Sequence, residues 1–373
     1  MNICVVHDYL FQMGGAEKVV AELHRIYPEA PIYTSIYRPD RVSPEFHKMD
    51  IRTTFLQQFA WMDHHARKLL PLYPSAFENF NLEGYDVVLS SSSAFAKGVI
   101  TPPGTLHICY CYTPMRFAWM YHAYIEREEF NRAIRCILPF MIKGIRTWDE
   151  ASSSRVDHFI AISGCVADRI RKYYRREATI IYPPVDVKHF NDIPRNAGEY
   201  FLIVSRLVPY KRIDTAVKAF NSLGLPLKIA GNGRDLKSLR AIANSNIEFM
   251  GYCSHEEIRE LYSRAIALLF PGYEDFGIVP VEAQAAGCPV IAYNGGGSRE
   301  TIKPGVSGIL YNEQTEDSLK KAVLDFDPSD YSVETLRREA SRFDNARFAS
   351  EITTFIEKAC DDRRSRKFGR CLG

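Results

Sequence analysis

The chain has 373 residues, 46% hydrophobic and 25% charged, the balance of a folded protein of about two domains and not of a disordered or fibrous one. Its 47 lysines and arginines against 45 aspartates and glutamates leave a formal charge of +2, too little for the concentrated basic face of a nucleic-acid binder. No apolar run reaches the ~20 residues that cross a bilayer, and the start MNICVVHDYL lacks the layout of a signal peptide, so a cytoplasmic protein is expected. Nine scattered cysteines, an odd number, point to reduced thiols; Cys109 and Cys111 read as small buried hydrophobes on one strand face, with no zinc spacing elsewhere.

In chain order, short β-branched runs alternate with amphipathic stretches, the pattern of parallel sheets wrapped by helices. Strands are expected at 2 to 8, 85 to 91, 106 to 111, 158 to 163 and 179 to 182, with helices between them at 16 to 26 and 131 to 151. Residues 183 to 200, rich in Pro, Asn and Asp, read as an interdomain linker. Alternation then resumes, with strands at 200 to 207, 227 to 231, 247 to 251, 265 to 271, 289 to 293 and 308 to 311. The expected fold is therefore α/β, with doubly wound domains at 1 to 190 and 191 to 345, then a helix and basic tail at 346 to 373 that packs back toward the first domain. The last 16 residues carry six Lys/Arg against two Asp and read as a solvated end or an anionic-membrane contact.

In such folds ligands bind at the carboxyl ends of the strands, and the residues that could carry chemistry follow strands here. Gly14 and Gly15 precede a helix, where they either admit a phosphate to the free backbone N–H groups or make a tight turn. Arg206 and Lys211 lie five apart after the first strand of the second half and can converge on one diphosphate, or form a solvated pair. In PGYEDFGIVPVEA, Glu274 sits in a strand-end loop and Glu282 in the following helix, so both are expected in one pocket as acceptors for sugar hydroxyls. Phe276, Gly277 and Ile278 between them offer backbone donors. The pair Asp325 and Asp327 resembles a metal handle but reads as a helix terminus, and no metal site is expected. The aromatic and basic stretch 51 to 74 is either a helix packed into its own domain or a surface whose Arg67 and Lys68 meet the phosphates of a lipid-linked acceptor.

The combination of GGAEK, VSRLVPYKR, PGYEDFGIVPVEAQAAGCPVIAYNGGGSRETI and GVSGILY resembles the family-4 retaining glycosyltransferases of the GT-B fold. VHDYL, YDVVLSSSSAFAKGVI and LHICYCYTPMRFAWMYHAY narrow the resemblance to the WbaZ-like mannosyltransferases of O-antigen and exopolysaccharide synthesis. It covers essentially the whole chain. It implies two Rossmann-like domains and a nucleotide-sugar donor, with GDP-mannose favoured. It further implies that Arg206 and Lys211 hold the donor diphosphate, that Glu282 binds the ribose and Glu274 the donor sugar, that Gly14 and Gly15 close over the phosphates, and that Gly251 and Tyr252 lie near the base. The implied chemistry is front-face retention without a metal cofactor. The acceptor would be a glycan or polyprenyl-linked oligosaccharide, met by the cytoplasmic protein at an anionic membrane surface. The family often places a His at the position of Tyr112, near the donor sugar; here the phenol, Arg116 or His122 is expected on the sugar or acceptor side. An epimerase or a non-catalytic sugar-nucleotide binder on the same fold are the competing readings.

Overall fold

In the computed structural model, which describes residues 1–120, 132–196 and 198–370 with the side chains at 60–68, 132–137 and 366–370 left aside, thirteen strands form two parallel sheets. The first sheet holds β1 (Ile3–His7), β2 (Ile32–Thr34), β3 (Ile51–Thr53), β4 (Val87–Ser92), β5 (Leu106–Cys111), β6 (His158–Ala161) and β7 (Ala178–Ile180), in the order β3-β2-β1-β4-β5-β6-β7. The second holds β8 (Tyr200–Val204), β9 (Leu227–Ala230), β10 (Ile247–Gly251), β11 (Ala265–Phe270), β12 (Val290–Tyr293) and β13 (Gly308–Tyr311), in the order β10-β9-β8-β11-β12-β13. In both, the chain winds outward from the first strand and then restarts on its other side. The strand order therefore reverses between β1 and β4 and between β8 and β11, which is where an open parallel sheet leaves a crevice for ligand.

The central strands of the first sheet are buried along their whole length, as the unbroken runs ICVVH and LHICYC require of strands covered on both faces. Register places Leu89 of β4 beside Val5 of β1 and Ile108 of β5. Each such aliphatic side chain contributes ~1.5–3 kcal/mol by leaving water. An ion pair is buried beside this sheet: Lys97, 1% exposed, meets Asp149 at 2.5 Å. The other Asp149 oxygen accepts from the Trp119 indole and the Tyr174 hydroxyl, each at 2.7 Å, so the buried charges are paired and hydrogen-bonded.

Two compact units divide the chain at Tyr182, and the first unit regains residues 348–373. The expected boundary at 190 is thus eight residues late, and 183 to 200 is no free linker. Val185 bridges to Asp344, Asp186 caps the helix Val187–Asn191 through the His189 N–H, and Phe190 meets the Tyr262 ring edge-on, all within the second unit. In the last helix, Asn345–Arg370, the apolar stripe Phe348, Ile352, Ile356 and Ala359 is buried, and Phe348 packs edge-on against Tyr110 of β5. The three-residue β2 and β3 add two strands to the five expected in the first sheet. Residues Phe55–Leu72 form a run of 3₁₀ turns with Phe55 exposed and Leu56 and Leu69 in the core; the side chains of Arg67 and Lys68 lie outside the described residues, as does His122 entirely. Asp325 and Asp327 end a helix: Asp325 follows Leu324, and Asp327 accepts the Ser329 N–H at 2.8 Å.

Candidate active site

At the second switch point, β8 ends in Ser205-Arg206-Leu207-Val208-Pro209-Tyr210-Lys211 and β11 in Pro271-Gly272-Tyr273-Glu274. Lys211 and Glu274 form an ion pair there, and both line a pocket with Ser205, Ile213, Phe270 and Gly272. Lys211 also lies over the Tyr210 ring, and Arg206, exposed, reaches the Tyr210 hydroxyl at 3.1 Å. Lys211, which follows β8, and Glu274, which follows β11, are thus brought together, while Arg206 stands at the exposed end of β8 and does not line that pocket. Arg212, next to Lys211, takes φ 55°, an uncommon left-handed conformation for a non-glycine residue, and starts the helix Ile213–Leu223 from that turn.

Glu282 follows on the next element. It lies on the helix Ile278–Ala285 at 6% exposure, does not line the Lys211–Glu274 pocket, and has its carboxylate 3.4 Å from the Tyr262 hydroxyl. The cause is that the helix is covered all round: with Pro280, Val281, Ala283, Gln284 and Ala285 also buried, it has no open face for a residue in its second turn. Gly277, at φ 92°, supplies the left-handed turn that begins the helix, and a Cβ there would press within 3.3 Å of the Phe270 ring. Phe276 is buried against Phe343, so it is a packing residue whose carbonyl and N–H remain near the site. Gly251, at φ 74°, ends β10 and accepts the Gly231 N–H at 2.6 Å, while Tyr252 beside it is 81% exposed.

Two glycine clusters belong to this site, one after β9 that the sequence reading passed over and one after β12 that it quoted within a longer motif without a role of its own. A Cβ on Gly233 would fall 2.0 Å from the Leu207 carbonyl, so the loop after β9 can touch the Arg206 loop only without a side chain. A Cβ on Gly296 would fall 2.1 Å from the Glu274 carbonyl, which accepts the Gly297 N–H at 2.9 Å. The G-N-G after β9 and the G-G-G after β12 are the legible traces of these approaches.

At the first switch point, Asp8 is 1% exposed and its carboxylate accepts the backbone N–H groups of Ser93, Ala94, Phe95 and Ala96 and the Ser93 hydroxyl at 2.6–3.0 Å. That concave run of N–H groups, a ready anion cradle, is already filled by the chain itself. Gly14 caps the helix Gly15–Ile26, and a Cβ on it would meet the Glu17 carboxylate at 3.0 Å. Glu17 is 3% exposed, so its carboxyl group is buried beside the glycine turn. Tyr112 is buried, which pushes its phenol well above the ordinary range; its hydroxyl lies 2.8 Å from the Ser91 hydroxyl and donates to the Ala16 carbonyl at 3.1 Å. Arg116, half-buried, opens the short helix Arg116–Trp119, whose last turn is held by Arg146 on the Ala118 carbonyl at 2.6 Å.

Sequence comparison accords with this geometry. Residues 13–189 match the family model described as Glycosyltransferase Family 4, and residues 187–340 the model described as Glycosyl transferases group 1. A GDP-mannose-dependent alpha-(1-6)-phosphatidylinositol monomannoside mannosyltransferase of Mycobacterium tuberculosis is 29% identical over 195 residues, 44% of this chain and 51% of that protein. The O-antigen chain mannosyltransferase RfbU of Salmonella typhimurium is 29% identical over 208 residues, 52% of this chain and 56% of its own length. The chain thus spans about half the length of these curated relatives. The crystal structure of Anabaena HepE in complex with UDP shares the fold, with a TM-score of 0.70 at 17% identity, over 96% of this chain and 100% of that one. The two family models meet end to end near the junction of the two units, and with its pair of parallel α/β sheets the chain belongs to the family-4 glycosyltransferases of the GT-B fold.

Proposed function

We propose that the protein is a retaining hexosyltransferase that moves mannose from GDP-mannose onto a lipid-linked oligosaccharide or growing polysaccharide in cell-surface glycan synthesis. The observation that carries the reading is the meeting of Lys211 and Glu274 at the second switch point, beside Arg206 and a helix that starts from Gly277. A cation and a carboxylate already paired there suit a donor with a diphosphate at one end and a hydroxylated sugar at the other. Lys211 would turn to the phosphate as Glu274 takes a sugar hydroxyl. The two mannosyltransferase relatives support the sugar, and their names, one for a phosphatidylinositol mannoside and one for an O-antigen, support an acceptor carried on lipid or polysaccharide.

In the proposed step, the bond from the anomeric carbon to the phosphate oxygen breaks as the acceptor oxygen bonds to the same face of that carbon. The departing phosphate oxygen takes the acceptor's proton. Arg206 and Lys211 supply positive potential where that negative charge develops, so the step asks for no metal ion. Glu282 orients the donor's ribose, Gly251 and Tyr252 flank the base, and Arg67, Lys68, Arg116 and His122 serve the acceptor and the anionic membrane that carries it.

A thermal-shift screen of GDP-, UDP- and ADP-sugars tests the donor. A ligand at 100 times its dissociation constant stabilises by ~2.7 kcal/mol, and GDP-mannose is expected to give the largest rise. Release of GDP only when acceptor is added marks transfer. Conversion of the donor alone into an epimer, or binding without turnover, would replace this reading by the epimerase or the scaffold.

A further inference from the structure

Four residues distant in sequence meet around the first turn of the helix Gly15–Ile26. His7 Nδ1 lies 3.1 Å from the Ser91 carbonyl oxygen and 3.0 Å from the Ser91 hydroxyl. A carbonyl oxygen can only accept, so Nδ1 carries the hydrogen. Ser91 Oγ lies 2.8 Å from Tyr112 Oη, and Tyr112 Oη donates onward to the Ala16 carbonyl. The phenol has one hydrogen, committed to Ala16, so at the Ser91 contact it must accept and the serine must donate. The directions are therefore settled from end to end: imidazole to serine, serine to phenol, phenol to the helix backbone. The far side of the imidazole, Nε2, faces the Glu17 carboxylate at 3.9 Å. Glu17 is the next residue after Ala16, so the chain of contacts returns to the turn it began on. His7, Glu17 and Ser91 are each at most 3% exposed and Tyr112 is 8% exposed.

We propose that this ring makes Tyr112 a positioning residue: its phenol fixes the turn at Gly14 and Gly15 against the ends of β1, β4 and β5, and does not contact the transferred sugar. Both hydrogen-bonding capacities that the ring uses are saturated by protein, and the ring of Tyr112 is further held edge-on to Tyr110 at 5.6 Å. The glycine turn gains a fixed place in return, with the Glu17 carboxylate so close to Gly14 that a Cβ there would lie 3.0 Å from it. A phosphate approaching the backbone N–H groups of that turn meets a turn anchored through the Ala16 backbone carbonyl. This inference rests on the proposed donor, whose phosphates the glycine turn is taken to meet.

The test uses the full chain with Tyr112→Phe, which keeps the ring and removes the hydroxyl, and Ser91→Ala, which breaks the next link. Calorimetry with GDP and with GDP-mannose is compared with amide exchange over residues 14–20. Loss of one neutral hydrogen bond is expected to weaken both ligands by the same factor, roughly fivefold, and to speed exchange in the turn. In transfer assays the donor KM should rise by that factor while kcat at saturating donor stays near the parent value, because binding to the phosphates is shared by ground and transition states. A merely destabilised protein would lose kcat at constant KM. Loss of affinity for GDP-mannose alone would place the phenol on the sugar and overturn the proposal. Unchanged affinities and exchange in both variants would also overturn it. If the parent chain binds neither ligand, the donor reading fails on its own account, and the exchange measurement still decides whether the ring holds the turn.

Discussion

Glu282 and Arg206 share an expected role but not an environment, and their variants should separate accordingly. Arg206 is exposed, so Arg206→Ala should leave the melting temperature unchanged and weaken GDP binding by ~1.5–3 kcal/mol, roughly tenfold to a hundredfold. Glu282 is buried beside Tyr262, so Glu282→Ala should also leave that phenol without its neighbour and cost ~1–3 kcal/mol of stability. Glu282→Gln keeps the volume and should lose affinity with a smaller change in stability. Calorimetry and thermal melts on the three variants measure both effects; wild-type affinity in all of them would remove these residues from the donor site. That Arg206, Lys211 and Glu274 stand after strands was legible in the sequence, because periodicity reveals the strands they follow. The burial of Glu282 was not, because its spacing from Glu274 says nothing of which helix face the second unit covers. The partners of Tyr112 were hidden for a related reason: they lie 21 and 96 residues away, beyond any local pattern.

At the scale of elements, β5 carries a histidine through the middle of the first sheet. His107 is fully buried, its Nε2 lies 2.9 Å from the Ser90 hydroxyl of β4, and burial lowers its pKa to about 4. The folded protein therefore refuses a proton that the unfolded chain accepts near its ordinary value of 6.5. Above pH 6.5 neither state is protonated and the residue adds no pH dependence. As the pH falls from 6.5 toward 4 the unfolded state gains protons alone, and stability should drop by about 3 kcal/mol over that window. Urea unfolding at pH 7, 5.5 and 4 measures the slope, and His107→Gln should flatten it. The long strands were legible because runs such as VVLSS and AIALLF leave no other way to bury so many adjacent apolar side chains. Three-residue strands such as IYT and IRT carry too little alternation to register, and only pairing, of IYT with β1 and of IRT with IYT, makes them strands.

Over the whole molecule, charge is nearly balanced, and the positive potential for a leaving diphosphate has to be local. Arg206 and Lys211 supply it in the proposed step, so transfer is expected to continue in EDTA with kcat within about twofold of the untreated enzyme. Complete loss on chelation, restored by Mg²⁺ or Mn²⁺, would show that a metal carries that charge instead. Among the described residues no cluster of His, Cys, Asp and Glu could hold such an ion, and no helix is long and apolar enough to cross a membrane.

The return of residues 348–373 to the first unit has a consequence for synthesis. The ribosome delivers residues 1–182 first, yet that segment lacks the helix whose Phe348 covers Tyr110 and whose Phe355 meets His158. Residues 183–347, emerging later, form a unit that is complete in itself. The order of completion is thus the reverse of the order of appearance. The face of β5 and β6 that this helix covers stays bare until residues 348–370 have been made, a hydrophobic strip for chaperones to guard meanwhile.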